Sequence, residues 1–262
     1  MNTDRIVELF GLDGKTALVT GGSRGIGTMI AGALLDAGAT VYISSRKADA
    51  CAEAADKLSG RGPCEGFAGD VSTAEGCAAL AADIRERAAG LDILVNNAGT
   101  TWNAPLGDHP LEAWDKVMNT NARGTFLLTQ ELVPLLTERA SPEDPSRVIN
   151  IGSIDGLVSP EFESYGYSAS KAAVHMLTRH LARHLAGRNV TVNAIAPGLF
   201  KSKMTAFVFG DPGVTRIVMD RIPMHRAGTP DDAGGTAVWL ASRAGSYLTG
   251  AVIPVSGGLA TL

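Results

Sequence analysis

The sequence predicts an α/β protein built on one doubly wound parallel sheet of about seven strands. Three observations predict it. Short β-rich runs alternate with longer helical runs, the order expected of a parallel sheet covered on both faces. A glycine-rich turn joins the first strand to the first helix. No repeat or linker divides the 262 residues, so a single domain spanning 1–262 is expected.

The elements follow in order. Lys15–Thr20 reads as a strand and Gly25–Ala37 as a helix. Thr40–Ser44 is a second strand, followed by a helix at Ala48–Leu58. A third strand leads to Asp70, and a helix covers Thr73–Ala89. Leu91–Val95 is strand four. Leu111–Arg139 is a long helical stretch whose proline at 134 can bend it. Ser141-Pro-Glu-Asp-Pro-Ser is a turn-rich connector. Arg147–Ile151 is strand five, Ser164–Ala186 the next helix, Val190–Ile195 strand six and Ala251–Val255 the last strand.

Composition excludes several classes of function. The 45% hydrophobic content allows a substantial core. A net charge of -4 provides no basic field for nucleic acid. No apolar run approaches the ~20 residues needed to cross a bilayer. The first residues, Met1-Asn-Thr-Asp-Arg, lack the apolar core of a signal peptide. A soluble, cytoplasmic protein without a membrane or nucleic-acid partner is expected. Cys51, Cys64 and Cys77 are odd in number and lack C-x-x-C spacing, which points to reduced thiols and no metal site.

Thr20-Gly-Gly-Ser-Arg-Gly-Ile-Gly27 carries the first functional signal. Gly21, Gly25 and Gly27 permit a tight turn and close backbone approach to a ligand. Ser23, Arg24 and Ile26 complete the loop. The helix behind it offers free N–H groups and a positive dipole end to phosphate. A plain turn would need only the glycines, whereas the strand–loop–helix context points to a dinucleotide. Its second ribose is read after strand two, where NAD-binding chains usually carry an acid. Here stands Tyr42-Ile-Ser-Ser45-Arg46 with no acid. Arg46, helped by Arg24, suits a 2′-phosphate because a guanidinium makes two parallel charged hydrogen bonds. NADP(H) is the expected cofactor.

Tyr167-Ser-Ala-Ser-Lys171 carries the second signal. Residues four apart share a helix face, so a phenol stands beside an ammonium. A nearby cation favours the phenolate and is expected to lower the tyrosine pKa. Tyr165 is the competing tyrosine, but Ala169 follows it at the fourth position. Only Tyr167 has a lysine partner, and Tyr165 is expected in the pocket wall.

With both motifs placed, the chain resembles the short-chain dehydrogenase/reductase family from Leu12 to its C-terminus. Further matches are Asp70-Val71, Asn96-Asn97-Ala98-Gly99, Asn121, Ser153, Pro197-Gly198, Arg226-x-Gly-x-Pro230-x-Asp232 and Gly257-Gly258. The resemblance implies a Rossmann-type fold and assigns roles. Asp70 and Val71 meet the adenine, and Asn97, Ala98 and Gly99 let backbone lie along the cofactor. Pro197, Gly198 and Ser202, with main-chain groups of Ile195, meet the nicotinamide. Ser153 holds the reacting oxygen, Tyr167 delivers the proton, and Lys171 tunes Tyr167 and binds ribose. Asn121 positions a water near Lys171; Asn119 is the neighbouring candidate.

The segment 199–225 is expected to be a small apolar substrate lid. It carries Phe200, Met204, Phe207, Val208, Phe209, Ile217, Val218, Met219 and Met224, interrupted at Gly210-Asp-Pro-Gly213. With Trp102 it suits a greasy or acyl substrate. The Ser153–Tyr167 spacing, Tyr165-Gly-Tyr and the 141–145 insert resemble the rhamnolipid-pathway type of 3-oxoacyl reductase. That implies NADPH-dependent reduction of a 3-oxoacyl thioester carried by acyl carrier protein or CoA. Arg139 and Arg188 fall where such enzymes meet an acidic carrier, or are solvated surface charges. A sugar, steroid or secondary-alcohol dehydrogenase and a non-catalytic dinucleotide sensor remain the alternatives. Family members associate through two long helices, so a homodimer or homotetramer is expected.

Exchanging Arg46 for aspartate should shift the NADPH-over-NADH ratio of kcat/KM toward NADH by about tenfold or more, since a carboxylate repels the 2′-phosphate. Steady-state kinetics with both nucleotides checks this, and an unchanged ratio contradicts the assignment.

Overall fold

A computed structural model describes residues 3–261. Met1, Asn2 and Leu262, at the ends of the expected domain, lie outside the described residues. Seven parallel strands form one sheet in the order β3-β2-β1-β4-β5-β6-β7. They are β1 (Thr16–Thr20), β2 (Thr40–Ser45), β3 (Cys64–Ala68), β4 (Ile93–Asn96), β5 (Ser146–Ile151), β6 (Val190–Pro197) and β7 (Val252–Val255). The order reverses between β1 and β4, which opens a crevice at the carboxyl edge of the sheet. Ligands of such sheets bind there.

Alternation along each strand divides the core in two. Ala17, Val19, Ile93, Val95 and Ile149 face one side, and Leu18, Leu94 and Val148 the other. The first side is covered by α2 (Gly25–Asp36), α3 (Ala48–Ser59) and α10 (Pro230–Ala241). The second is covered by α4 (Ala74–Arg87), α6 (Gly124–Thr137) and α7 (Tyr165–Leu185). Burial on both faces explains why the strands read as nearly continuous apolar runs.

Two elements differ from the sequence reading. Thr3–Phe10 forms a helix, α1, where no element was expected; Arg243 pairs with its Glu8. The long stretch 111–139 is two helices, α5 (Leu111–Met118) and α6, joined by a π turn at Asn119–Arg123. Gly124 N–H there bonds Asn119 O in the wider turn, and α6 continues through Pro134. Wide turns of this kind recur at functional sites.

The Arg226–Asp232 match has a structural use. Thr229 and Asp232 form a capping box at α10, with Pro230 in its first turn. Arg226 grips both Asp232 oxygens at 2.6 and 3.0 Å and holds that carboxyl well below the usual range. Two short helices, α8 (Ala206–Phe209) and α9 (Pro212–Arg221), occupy the apolar segment after β6.

A buried polar ladder ties the sheet to its second layer. Asn96 Nδ2 donates to Thr129 Oγ1 at 3.0 Å and to Asn150 Oδ1 at 2.9 Å, and Asn150 Nδ2 donates to Thr178 Oγ1 at 2.9 Å. Thr178→Val keeps the shape but strands an amide N–H, which should cost about 1–3 kcal/mol. Urea unfolding measures the loss; an unchanged midpoint and slope would contradict the ladder's contribution.

Candidate active site

A cleft of about 900 Å³ opens at the carboxyl edge over β1, β4 and β5. Its floor is the glycine-rich loop. Gly21 and Gly25 hold φ of 63° and 58°, a region that disfavours residues with a Cβ. A Cβ on Gly27 would stand 2.4 Å from Gly21 O, so that close turn requires glycine. Asn97 fastens the loop: its Nδ2 donates to Thr20 O and Gly21 O, and its N–H to Thr20 Oγ1. Asn97 is thus a brace for the loop as well as part of the strip Asn97-Ala98-Gly99 along the cleft.

Ser23, Arg24, Ile26, Ser45, Arg46, Asp70 and Val71 line the same end. Ser45 Oγ lies 3.0 Å from Cys51 Sγ. Asp70 Oδ1 accepts Ser72 N–H at 3.0 Å, the loop-capping use open to any acid there. Sequence reasoning missed Ser44 and Lys47. Ser44 Oγ is buried without a hydrogen-bond partner and borders the cleft. An orphaned hydroxyl, a glycine cradle and two guanidinium groups suit a phosphorylated dinucleotide. The alternating run around residue 44 marks it only as core, so no signal singled it out.

The opposite wall comes from β5 and α7. Ser153, 6% exposed, lies two residues past the end of β5, and its Oγ accepts Asp155 N–H at 3.1 Å. Tyr167 and Lys171 stand one turn apart on α7. Lys171 Nζ is buried and donates to Ile151 O at 2.7 Å. Nζ lies 5.5 Å from the Tyr167 ring centroid. Asn121, from the π turn, pairs with Thr100 through both its oxygen and its Nδ2, each at 2.9 Å. Its second N–H reaches Ser170 Oγ, which in turn donates to Tyr167 O. Asn121 and Lys171 both flank Gly99, where a Cβ would sit 3.4 Å from Asn121 Oδ1 and 3.7 Å from Lys171 Nζ. Asn119 only opens the π turn.

The electrostatics correct one expectation. Lys171 does not pull Tyr167 below its ordinary value. Burial pushes the phenol up to about 12, with Asp155 adding to the rise and a hydrogen bond from Ser153 opposing it. The ammonium is spent on Ile151 O. Burial lowers Lys171 to about 8, and the Asp155 charge resists that fall. Burial also raises Asp155 itself, with Lys171 opposing.

Other expectations are corrected by position. Tyr165 is outside the lining of this cleft: its hydroxyl donates to Glu163 and its ring meets His109. Trp102 is 44% exposed and outside the lining, although Thr101 and Asn103 belong to it. Ile195 is outside the lining, and its O accepts Gly152 N–H in the sheet. Pro197, Gly198 and Ser202 do border the cleft, and Ser202 approaches Gly25 of the loop. Thr205, which bonds Ser202, was missed. From the apolar segment, Met204, Phe207, Val208 and Val218 roof the cleft, while Ile217 and Met224 face away, exposed. Arg139 is locked to Asp92 and Gly90 at the amino edge of the sheet, and Arg188 ends the turn before β6. Neither borders the cleft. Cys64 and Cys77 are raised by burial to about 11 and remain thiols at neutral pH.

A dinucleotide cradle at one end and a proton-donating wall at the other are what a nicotinamide-dependent oxidoreductase requires. Comparison with known proteins agrees. Residues 21–260 match the family described as Enoyl-(Acyl carrier protein) reductase. The chain belongs to the short-chain dehydrogenase/reductase family. It is 49% identical to the rhamnolipids biosynthesis 3-oxoacyl-(acyl-carrier-protein) reductase of Pseudomonas aeruginosa over 95% of this chain and 97% of that one. It is 38% identical to a 2-dehydro-3-deoxy-D-gluconate 5-dehydrogenase of Pseudoalteromonas atlantica over 97% and 98% of the two chains. The Pseudomonas aeruginosa RhlG/NADP active-site complex superposes with a TM-score of 0.95 at 48% identity, covering 97% of this chain and 99% of that one.

The Lys171 cation is lost as pH rises through about 8. The kcat/KM for the dinucleotide, which reports the free enzyme, should therefore fall on the alkaline side near that value. Asp155→Asn removes the charge that supports the cation, so the limb should move to lower pH. A pH–rate series on both proteins checks the sign; a limb that stays fixed contradicts the coupling.

Proposed function

We propose that the protein is an NADPH-dependent carbonyl reductase acting on a 3-oxoacyl thioester and forming the 3-hydroxyacyl product. The observation that carries this reading is the Ser153–Tyr167–Lys171 wall under the apolar roof of Met204, Phe207, Val208 and Val218. Arg46 and Arg24 hold the 2′-phosphate, and the loop Gly21–Gly27 receives the pyrophosphate at the α2 N-terminus. Asp70 and Val71 flank the adenine, and Pro197, Gly198 and Ser202 the nicotinamide. When bound, NADPH supplies the hydride.

The protein's own groups do the rest. Ser153 Oγ already accepts Asp155 N–H, and its O–H turns from the Tyr167 phenol to the substrate carbonyl oxygen when substrate binds. Accepting one hydrogen bond strengthens the donor at the same atom. As charge grows on that oxygen, Ser153 and Tyr167 stabilise it. Tyr167, protonated at neutral pH, transfers its proton there. Lys171 stands behind it as a cation at neutral pH. Both N–H groups of Asn121 are engaged, by Thr100 O and Ser170 Oγ, so its amide has no hydrogen left to donate to a water near Lys171.

The roof is the moving lid in this reading, hinged around Gly210-Asp-Pro-Gly213. The carrier is CoA or acyl carrier protein; Arg139 and Arg188 lie outside the cleft, and Arg139 is already bonded to Asp92. The reading includes a cytoplasmic homo-oligomer, a dimer or tetramer, with exposed Leu111, Phe126 and Met176 on α5, α6 and α7 at the interfaces. A sugar-type substrate is the second reading. It is favoured by the Asp155 carboxylate in the cleft, which can accept from a hydroxyl.

Tyr167→Phe should lower kcat for NADPH-dependent reduction of acetoacetyl-CoA by about 10³-fold. NADPH affinity, measured by fluorescence titration, should hold. Retained turnover in this variant would exclude Tyr167 as the proton donor.

A further inference from the structure

Tyr167 and Lys171 are the first two members of a longer stripe. His175 follows at the next fourth position on α7 and shares their face. Its ring is 2% exposed and sits against the end of β5. A Cβ on Gly152 would stand 2.1 Å from His175 Nε2, and one on Gly156 would stand 2.9 Å from its Cε1. Two glycines on either side of Ser153 thus admit the imidazole to the backbone. Ser153 N–H donates to His175 Nε2 at 3.4 Å. Two residues earlier, Ile151 O accepts from Lys171 Nζ. The strip Ile151-Gly152-Ser153 is therefore held at two successive points by one helix face.

We propose that His175 is a positioning residue: a neutral imidazole, protonated on Nδ1, that accepts the Ser153 N–H and fixes the serine hydroxyl toward the reacting carbonyl. The acceptor role requires a bare Nε2. Nδ1 then carries the ring proton, and it is buried without a partner in good hydrogen-bonding geometry. The surroundings keep the ring neutral. Burial lowers its pKa below the ordinary 6.5, and the charges of Lys171 and Arg179 on the same helix lower it further, while the Gly156 backbone opposes. From the turn packed on it, Asp155 acts on Lys171 and Tyr167. Protonating His175 would turn an N–H against the Ser153 N–H, so the clamp opens on the acid side.

Three measurements test this. Histidine-selective ¹⁵N NMR of the wild type should show one ring that stays neutral as the Nδ1–H tautomer at neutral pH, with its signals absent in His175→Gln. His175→Gln retains an acceptor oxygen, so it should keep most of kcat and lose the acid limb of the pH profile. His175→Leu keeps the bulk without the acceptor; kcat should fall about tenfold while KM for NADPH changes less than about twofold. An Nε2–H tautomer, an acid limb unchanged in His175→Gln, or a His175→Leu enzyme as active as His175→Gln overturns the proposal. If neither variant folds, the wild-type tautomer decides it. The kinetic arm rests on thioester reduction: no wild-type turnover of acetoacetyl-CoA would sink that substrate reading, and the NMR arm would still judge His175.

Discussion

Lys171 places its ammonium inside the protein, against the last carbonyl of β5, and the rest of the site is arranged around that bond. A buried ammonium costs several kcal/mol unless it is well bonded. The helix that carries it must dock so that Nζ reaches Ile151 O. That docking fixes Tyr167 one turn before and His175 one turn after against the same strand end. It also sets Ser153, two residues beyond Ile151, opposite the phenol. The π turn at Asn119–Arg123 serves the same geometry from the other side. It lets Asn121 pair with Thr100 and reach Ser170 on α7, so the strip after β4 and α7 are fastened by one amide.

The same burial sets the protonation states. Desolvation disfavours charge, so it raises the phenol and lowers the ammonium. At Tyr167 this outweighs the favourable hydrogen bond from Ser153. At Lys171 the nearby Asp155 carboxylate resists it and keeps the cation present at neutral pH. A tyrosine held protonated suits a donor in the direction of reduction. Asp155 thereby links the polar face of the cleft to the two α7 groups, while the roof from α8 and α9 supplies the apolar face.

Much of this was legible in the sequence for physical reasons. A strand buried on both faces writes an unbroken apolar run, and a phosphate loop needs glycine where a Cβ would collide, as at Gly27. The Tyr167–Lys171 spacing follows directly from helix geometry. What stayed hidden depends on tertiary context. A π turn leaves the helical pattern of 111–139 intact, so periodicity reads one helix there. Arg139 looks like free surface charge until its partner Asp92, 47 positions away, is placed beside it. Tyr165 and Trp102 are aromatic and close to the motifs, yet their direction is set by Glu163, His109 and solvent. The sign of the Tyr167 shift was misread because spacing reveals the neighbouring cation but not the depth of burial.

Family membership fixes the fold and the class of chemistry, and the cleft must then choose its carbonyl. The apolar roof favours an acyl chain, and Asp155 leaves room for a hydroxylated one. The direct measurement compares kcat/KM, with NADPH, for acetoacetyl-CoA, a longer 3-oxoacyl thioester and a keto-sugar acid. The account predicts that both thioesters are reduced and that the longer one is preferred, by up to about fourfold for each methylene buried under the roof. Efficient reduction of the sugar acid with no measurable turnover of either thioester would contradict it.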